Sequence, residues 1–137
     1  MYLLDTNVLS ELRRPPRANP NVREWASSQP AALFYLSVIT ILEIEHGILL
    51  MERRDARQGV VLREWFETEI LTRFADRILA IDTTVVRQCA RLHVPDRRPE
   101  RDAMIAATAL AHAMTIVTRN VTDFQGMGVT LINPWNA

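Results

Sequence analysis

The sequence contains no lysine, so all sixteen of its basic residues are arginines. This absence excludes enzymes that form a Schiff base through a lysine amine. It also excludes, in their usual form, phosphate-loop nucleotidases, whose glycine-rich loop carries a lysine that reaches the phosphates. Response-regulator receivers, which also depend on a lysine, are excluded for the same reason.

Cysteines, long apolar segments and net charge are equally scarce. The single cysteine, Cys89, rules out a disulfide framework and lies in an amphipathic stretch typical of a small core residue. No apolar run approaches the ~20 residues of a membrane helix, and the first residues lack the basic region of a secretory signal. Sixteen acidic residues balance the arginines, so the chain as a whole is not a strongly basic nucleic-acid binder. We expect one cytoplasmic domain over residues 1–137.

Short apolar runs alternate along the chain with amphipathic segments. The pattern predicts five strands, at residues 2–5, 32–37, 77–82, 115–118 and 129–133. It predicts helices between them, at residues 6–14, 19–29, 37–54, 55–74, 83–94 and 101–113. Strands separated by helices favour parallel pairing, so the expected fold is an α/β sandwich.

Four of the acidic residues occupy unusual positions. Asp5 ends the first predicted strand and Asp123 follows the fourth, while Asp102 begins a helix rich in small residues. Glu43 lies inside an apolar stretch, about two turns into the helix after the second strand. The carboxyl ends of the strands form the ligand crevice of an open parallel sheet. Carboxylates that converge there raise each other's pKa unless a cation binds, and oxygen-only ligands suit Mg²⁺ or Mn²⁺.

Each of these acids also has a purely structural interpretation. Asp5 is by itself either a helix cap or a ligand, because Asp, Thr and Asn all cap helices well. Asp102 suits the positive end of a helix dipole, and Asp123 can cap a turn. The remaining acids, Glu11 among them, neighbour arginines and are expected on solvated helix faces. The motifs around the four acids favour a joint site.

Four motifs follow one another along the chain: Asp5-Thr6-Asn7, Ser37-x-x-Thr40-x-x-Glu43-x-x-x-Gly47, Asp102-x-x-Ile105-Ala106-Ala107-Thr108-Ala109 and Thr118-Arg119-Asn120-x-x-Asp123-Phe124. In this order and spacing they resemble the PIN-domain ribonucleases, and more narrowly the VapC-type toxins of bacterial toxin–antitoxin pairs. The closing segment INPWN adds a resemblance to the FitB-like branch. The resemblance covers the whole chain and implies a three-layer sandwich, with a twisted parallel sheet of about five strands flanked by helices.

The resemblance also implies a Mg²⁺-dependent endoribonuclease, with Mn²⁺ as an alternative ion. Carried onto this sequence, its catalytic acids are Asp5, Glu43, Asp102 and Asp123, of which Asp5 and Asp102 hold the principal metal. The polar residues that support them are Thr6, Asn7, Ser37 and Asn120. Relatives differ in whether the last acid stands at the position of Asn120 or of Asp123, and only the second is acidic here. Candidate contacts to RNA are the arginines nearest these motifs, Arg97, Arg98, Arg101 and Arg119.

The partners implied by the resemblance are an RNA substrate and a cognate antitoxin of the VapB type. The antitoxin is expected to place an arginine at the acidic site and apolar side chains in a groove near the first and third helices. We also expect a homodimer, which forms a heterotetramer or larger assembly with the antitoxin. Trp25, Trp65 and Phe66 provide more aromatic surface than a small sheet easily covers. No membrane partner is expected.

Two other functions compete with the ribonuclease. A non-catalytic PIN-like module would use the acidic pocket only to receive an arginine of its partner. A phosphatase of the haloacid-dehalogenase type is also acidic, Mg²⁺-dependent and α/β, but it needs a second Asp at the position of Asn7. The motifs contain no Ser–His or Cys–His pair, so water activated by a metal is the expected nucleophile.

Overall fold

A parallel sheet of five short strands forms the centre of the computed structural model, which describes residues 1–136. The strands are β1 (Tyr2–Leu4), β2 (Phe34–Ser37), β3 (Ile78–Leu79), β4 (Thr115–Val117) and β5 (Leu131–Ile132). Their order across the sheet is β3-β2-β1-β4-β5, and every neighbouring pair is parallel. The predicted α/β sandwich with a parallel sheet is confirmed.

Six α-helices connect the strands in the described part of the chain. They are α1 (Thr6–Leu12), α2 (Pro20–Ser27), α3 (Val38–Arg54), α4 (Ala56–Trp65), α5 (Thr83–Leu92) and α6 (Glu100–Ala111). The side chain of Asn19 caps α2 and that of Ser37 caps α3. No helix within residues 1–136 combines the length and the apolar character that a membrane span requires.

Three predicted elements differ most from those observed. The fifth strand covers only Leu131–Ile132 of the predicted 129–133. The third strand is only two residues long, because Asp82 already caps α5 by accepting a hydrogen bond from the Val85 N–H. The predicted helix over 55–74 divides at Trp65 into α4 and a π-helical segment, Phe66–Thr72. In that segment the Thr72 hydroxyl donates to the carbonyl of Glu67, five residues earlier, which matches the wider π turn.

The sheet buries both of its faces. Leu3 and Ile116 lie in one apolar cluster with side chains of α6, whereas Leu4 and Val117 lie in another with side chains of α1, α3 and the π-helical segment. This alternation follows from the two-residue period of a strand. The α3 and α4 helices meet closely at Gly59, where a Cβ atom would lie 2.9 Å from the Cα atom of Glu52.

The topology of the sheet determines where a ligand can bind. The central strand, β1, pairs with β2 on one side and with β4 on the other. Successive strands are therefore added in opposite directions from β1, and its carboxyl end is the switch point where a crevice forms in an open α/β sheet. Asp5 is the first residue after this strand.

Candidate active site

An open cavity of about 590 Å³ lies at the carboxyl end of β1 and contains all four predicted acids. Its walls come from the first two turns of α1, from α3, from the start of α6 and from the segment after β4. The residues that line it are Asp5, Thr6, Asn7, Ser10, Glu11, Glu43, Asp102, Arg119, Asn120, Asp123 and Trp135. The topology thus gathers carboxylates that are far apart in the sequence.

Asp5 is the most buried of these acids and serves both as helix cap and as a cavity residue. Its Oδ1 accepts a hydrogen bond from the Thr6 N–H at 2.9 Å. Its Oδ2 accepts from the Thr118 hydroxyl at 2.8 Å and from the Asn7 amide at 3.3 Å. Burial raises the pKa of Asp5, these hydrogen bonds oppose the rise, and the charge of Asp123 adds to it. The two sequence interpretations of Asp5 are therefore compatible.

Glu43 lies across the cavity on α3 and is linked to the same motif. The Thr6 hydroxyl donates to Glu43 Oε1 at 2.9 Å. Burial raises the pKa of Glu43, the hydrogen bond from Thr6 lowers it, the charge of Asp5 raises it and that of Arg101 lowers it. The side chain of Thr6 therefore connects α1 to α3 and orients one carboxylate oxygen.

Asp102 lies in the first turn of α6 and shows how close the acids are to one another. Its pKa is raised to about 6, first by partial burial and then by the charges of Asp123, Asp5 and Glu43. A carboxylate at a helix N-terminus is ordinarily stabilised in its charged form. The opposite shift here indicates that repulsion and burial outweigh the helix dipole.

The predicted supporting residues separate into two groups. Thr6, Asn7 and Asn120 line the cavity, and the Asn120 backbone N–H donates to the Thr118 hydroxyl at 3.0 Å. Ser37 does not line it. It is fully buried, and its hydroxyl accepts from the Ile39 N–H as the cap of α3, so it acts on the site only by fixing the start of the helix that carries Glu43.

The four candidate arginines are also placed differently from one another. Arg119 lines the cavity, and the charge of Arg101 reaches Glu43. Arg97 lies 3.6 Å from Glu100 with 85% of its side chain exposed. Arg98 lines a separate cavity beside the loop between α5 and α6. Two of the four therefore lie away from the acidic cavity.

Arg98 has a structural role in the site. Its guanidinium donates to the carbonyl of Gln125 at 3.0 Å, and its backbone N–H donates to His93 Nδ1 at 3.0 Å. A Cβ atom on Gly126, whose φ is +81°, would lie 2.6 Å from the Arg98 guanidinium. This contact joins the loop before Asp102 to the segment that carries Asp123.

Three residues that line the cavity were not predicted as site residues, namely Ser10, Glu11 and Trp135. Thr118 was not predicted either; it is fully buried and does not line the cavity, but its hydroxyl donates to Asp5. From the sequence, Glu11 was expected on a solvated face. Glu11 instead faces the cavity and accepts a hydrogen bond from the Asn19 N–H at 2.8 Å. Its spacing of four residues from Asn7 along α1 is a signal that could have placed it there. Ser10 carries the same signal, because it lies four residues after Thr6, and Trp135 lies in the closing INPWN segment.

A second group of potential metal ligands does not suit a metal. Cys89 Sγ and Glu100 Oε2 lie 3.8 and 3.7 Å from His93 Nε2. Because His93 Nδ1 accepts a hydrogen bond from the Arg98 N–H, the neutral ring carries its proton on Nε2, the atom that faces the other two groups. This nitrogen is therefore a donor and not a free ligand.

Comparison with known proteins agrees with this geometry. Over residues 2–127 the sequence matches the PIN domain family. It is 41% identical to the plasmid stability protein StbB of Pseudomonas syringae pv. tomato, with both chains fully covered, and 38% identical to the toxin FitB of Neisseria gonorrhoeae, with 99% of each covered. The crystal structure of FitAcB from Neisseria gonorrhoeae superposes with a TM-score of 0.90 and 37% identity, covering both chains fully. The chain therefore belongs to the PIN domain family.

Proposed function

We propose that the protein is a Mg²⁺-dependent endoribonuclease and the toxin of a toxin–antitoxin pair. The observation that carries this proposal is the convergence of Asp5, Glu43, Asp102 and Asp123 on one cavity, where partial burial and mutual repulsion raise the pKa of Asp102 to about 6. The names of relatives support it, since these include a VapC ribonuclease of Sinorhizobium fredii and the toxin FitB.

The donor set of the cavity fits a hard divalent cation. Within the described residues, the lining contains carboxylates, amides and hydroxyls but no histidine or cysteine, and oxygen ligands favour Mg²⁺ or Mn²⁺ over softer ions. Asp5 and Asp102 would hold the ion, with Glu43 and Asp123 completing the site. A bound ion would supply an acidified water and neutralise charge on the phosphate.

The residues around the acids position the reacting groups. Thr118 and Asn7 fix the Oδ2 atom of Asp5, so its orientation does not depend on a ligand. Thr6 holds Glu43 by one oxygen. Because burial raises the pKa of Glu43, its carboxylate is a stronger base than an exposed one and is suited to accept a proton from the attacking water.

Purified protein and a mixed-sequence single-stranded RNA test this function directly. We expect cleavage that requires Mg²⁺ or Mn²⁺ and that EDTA abolishes. p-Nitrophenyl phosphate serves as the control for the phosphatase alternative, which the PIN assignment does not support, and we expect no release of nitrophenol. Binding of an arginine-containing partner without any metal-dependent cleavage of RNA would instead favour the non-catalytic module.

An apolar groove on the other side of α1 is where we propose that the antitoxin docks. The groove has a volume of about 470 Å³ and is lined by Leu9 and Leu12 of α1 and by Trp65, Ile70 and Phe74. It lies between α1 and the segment after α4, and not beside α3 as the sequence suggested. Because α1 also borders the acidic cavity, a segment that crosses α1 reaches both.

The charge at the edge of this groove favours an acidic amphipathic occupant. Arg13 lines the groove, and burial lowers its pKa, with a further contribution from the charge of Arg14. A carboxylate on the bound segment would offset the repulsion from Arg14 and neutralise the partly buried charge of Arg13. Changing the acidic residues of an antitoxin peptide to glutamine should weaken its binding to the wild-type protein. The same change should cause a smaller loss of affinity for the Arg13→Ala variant.

The homodimer remains a proposal, but the reason given for it from the sequence is wrong. Phe66 is fully buried, Trp65 packs against the core, and Trp25 stacks on Phe34 with ring centroids 5.6 Å apart. The exposed large apolar side chains are aliphatic and include Leu42, Leu49 and Leu50 of α3 and Val60 and Val61 of α4. We propose that a second copy covers exposed apolar side chains of α3 and α4.

Light scattering tests the dimer. We expect a mass near twice 15.7 kDa at micromolar concentration and a shift towards the monomer in Leu49→Glu. The control is Val94→Glu, since Val94 is also exposed but lies on a different part of the fold. A wild-type mass of 15.7 kDa would overturn the dimer without affecting the nuclease proposal.

A further inference from the structure

Arg119 has an unusual electrostatic environment. It lines the acidic cavity together with Asp5, Glu11, Glu43, Asp102 and Asp123, and it is the only cationic residue among the described lining residues. Yet among the ion pairs within residues 1–136, none joins Arg119 to a carboxylate within 4.0 Å. An arginine beside several carboxylates ordinarily pairs with them. Another contact therefore holds the Arg119 guanidinium away from the cavity carboxylates.

The ring of Trp135 provides the alternative partner. The Arg119 Cζ atom lies 5.4 Å from the centroid of this ring, which is the geometry of a cation–π contact. The same ring lines the cavity and packs against the core beside β1 and α1. The guanidinium thus rests on an aromatic wall of the site.

Both members of the pair are anchored through their backbones. The Trp135 N–H donates to Asn133 Oδ1 at 3.0 Å, and its carbonyl accepts from the Asn21 amide at 3.0 Å. The Arg119 N–H donates to Asn7 Oδ1 at 3.1 Å. Asn7 also donates to Asp5, so the arginine is held in register with the acid that ends β1.

A nuclease site needs carboxylates that bind a metal and also a positive charge that binds the phosphates of RNA. The contact between Arg119 and Trp135 allows both to be present in one cavity. Carboxylates that bind a metal also repel the phosphates of RNA, so a nearby cation favours substrate binding. A flexible cation at the same place would pair with the carboxylates and compete with the metal. A guanidinium held on an aromatic ring leaves its N–H groups free for a phosphate while the carboxylates stay open.

We propose that Arg119 binds an RNA phosphate next to the cleaved one, and that Trp135 is a positioning residue that keeps this guanidinium off the metal-binding carboxylates. The inference rests on the proposed ribonuclease function, whose substrate it makes more specific. The roles proposed for Arg119 and Trp135 predict opposite changes in metal affinity when each residue is removed. Removal of the arginine should tighten metal binding, whereas removal of the ring alone should weaken it.

The experiment uses four variants and two readouts. The variants are Arg119→Ala, Trp135→Leu, the conservative Trp135→Phe and the double variant Arg119→Ala/Trp135→Leu. One readout is the affinity for a labelled single-stranded RNA in Ca²⁺, measured by fluorescence anisotropy over a range of salt concentrations. The other is the affinity for Mn²⁺ alone, measured by isothermal titration calorimetry. Arg97→Ala is the matched control, because it removes one exposed positive charge away from the cavity.

The salt dependence identifies a phosphate contact. We expect Arg119→Ala to weaken RNA binding regardless of sequence and to reduce the slope of log K against log salt by about 0.7, the value for one phosphate contact on a single strand. Arg97→Ala should leave the slope nearly unchanged. An unchanged slope in Arg119→Ala would overturn the phosphate contact.

The Mn²⁺ titrations identify the positioning role. We expect Trp135→Leu to bind Mn²⁺ several-fold more weakly than wild type, Trp135→Phe to restore most of the affinity, and the double variant to bind at least as tightly as wild type, because no guanidinium remains to compete. A merely structural tryptophan would weaken Mn²⁺ binding equally with and without the arginine, and that result would overturn the inference. RNA binding that depends on Arg119 without any cleavage would refute the nuclease, and with it the position next to a cleaved phosphate, but it would leave the phosphate contact and the positioning role of Trp135 standing.

Discussion

Two acidic clusters of the molecule differ in how their charge is neutralised. The first is the cavity cluster, formed by Asp5, Glu43, Asp102 and Asp123. The second is the helix cluster, in which Glu45 and Glu52 of α3 and Glu67 of the π-helical segment surround Arg63 of α4. Arg63 donates hydrogen bonds to Glu45 and Glu52, which raise its own pKa.

The difference between the clusters lies in where the neutralising charge comes from. In the helix cluster the cation belongs to the fold, so the carboxylates are satisfied without a ligand. In the cavity cluster the single lining arginine rests on Trp135, and the pKa of Asp102 rises to about 6 under the charges of its neighbours. Carboxylates without an internal cation are available to bind a metal ion, whereas a cation supplied by the fold would first have to be displaced.

Removal of one carboxylate from the cavity cluster is expected to have the largest effect. Asp5→Asn and Asp102→Asn should each reduce metal-dependent RNA cleavage by at least about a hundredfold, the scale on which loss of one catalytic group lowers kcat. Both variants should fold. Without metal, Asp102→Asn should melt at the same temperature as wild type or higher, since repulsion is relieved. In Asp5→Asn the same gain is opposed by the loss of hydrogen bonds that the second carboxylate oxygen accepts from Thr118 and Asn7. Cleavage assays and thermal melts in EDTA provide the two measurements.

Glu45→Gln is the matched control in the helix cluster. It also removes one carboxylate, but one that faces Arg63, so cleavage should stay at the wild-type level and stability without metal should not increase. Because Asp5 also caps α1, a lower melting temperature of Asp5→Asn alone would not contradict the site. Cleavage retained in either variant, or marked destabilisation of Asp102→Asn, would show that the site is wrongly assigned.

An arginine supplied by the antitoxin would make the cavity cluster resemble the helix cluster. Bidentate arginine–carboxylate pairs are strong, and the carboxylates of Asp5, Glu43 and Asp102 compete for any cation. We expect the cognate antitoxin to lose about thirtyfold in inhibition when its C-terminal arginines are changed to alanine, the effect of one interface residue worth about 2 kcal/mol.

The measurement for this prediction is inhibition of RNA cleavage at several Mg²⁺ concentrations. Raised Mg²⁺ should relieve inhibition by the wild-type antitoxin, because the ion and the arginine compete for the same carboxylates. Full inhibition by the alanine variant, unchanged by Mg²⁺, would show that the antitoxin acts only by covering the site.

The sequence predicted which carboxylates meet in the cavity better than it predicted the other residues of the cavity walls. Asp5, Glu43, Asp102 and Asp123 were found because each falls at a strand end or within a recognisable motif, and chain order determines where strand ends meet. Glu11 was misplaced because its sequence neighbours are apolar residues and arginines, and only the packing of α1 shows which way it faces. Side-chain direction depends on tertiary neighbours that a local pattern does not contain.

The same limit explains the errors on charged and aromatic residues. Arg98 stands beside Arg97 in the sequence, yet it bonds the backbone of Gln125 while Arg97 is exposed. Trp65 and Phe66 looked like excess aromatic surface, but the π-helical segment takes Phe66 into the core. In the fold, the length of the third strand was overestimated because apolar residues continue to the helix cap at Asp82.

A change of pH should affect the cavity cluster and not the helix cluster. The expected change in the free energy of unfolding is smaller than the effects above. The pKa of Asp102 is about 6 in the folded protein, against 3.8 for the isolated side chain. Between these values the folded protein holds more protons than the unfolded chain, so its free energy of unfolding decreases as pH rises through this window. The same protons must leave before a metal binds, so Mg²⁺ affinity should fall as pH drops below about 6.

Urea unfolding across this pH range, with and without Mg²⁺, measures the effect. In the metal-free protein, the free energy of unfolding should decrease as pH rises, and this slope should be shallower in Asp102→Asn. Saturating Mg²⁺ should offset the slope, because the ion binds more tightly at the higher pH. The slope should persist in Glu45→Gln. A slope that is unchanged by Asp102→Asn would mean that other groups bind the protons and that the repulsion within the cavity is weak.

The smallest effect is expected from removing the internal cation of the helix cluster. Arg63→Met leaves the carboxylates of Glu45, Glu52 and Glu67 without their shared partner, but all of them are substantially exposed, and water and salt screen their repulsion. We therefore expect a small decrease in melting temperature that high salt reduces, with RNA cleavage unchanged. Because these side chains lie on solvent-facing parts of α3 and of the π-helical segment, they should not form a metal site once Arg63 is gone. Calorimetry of Arg63→Met with Mn²⁺ tests this expectation. A second site with an affinity like that of the cavity would show that unneutralised charge alone is enough to form a metal site. The fixed geometry of the cavity carboxylates would then not be what distinguishes the two clusters.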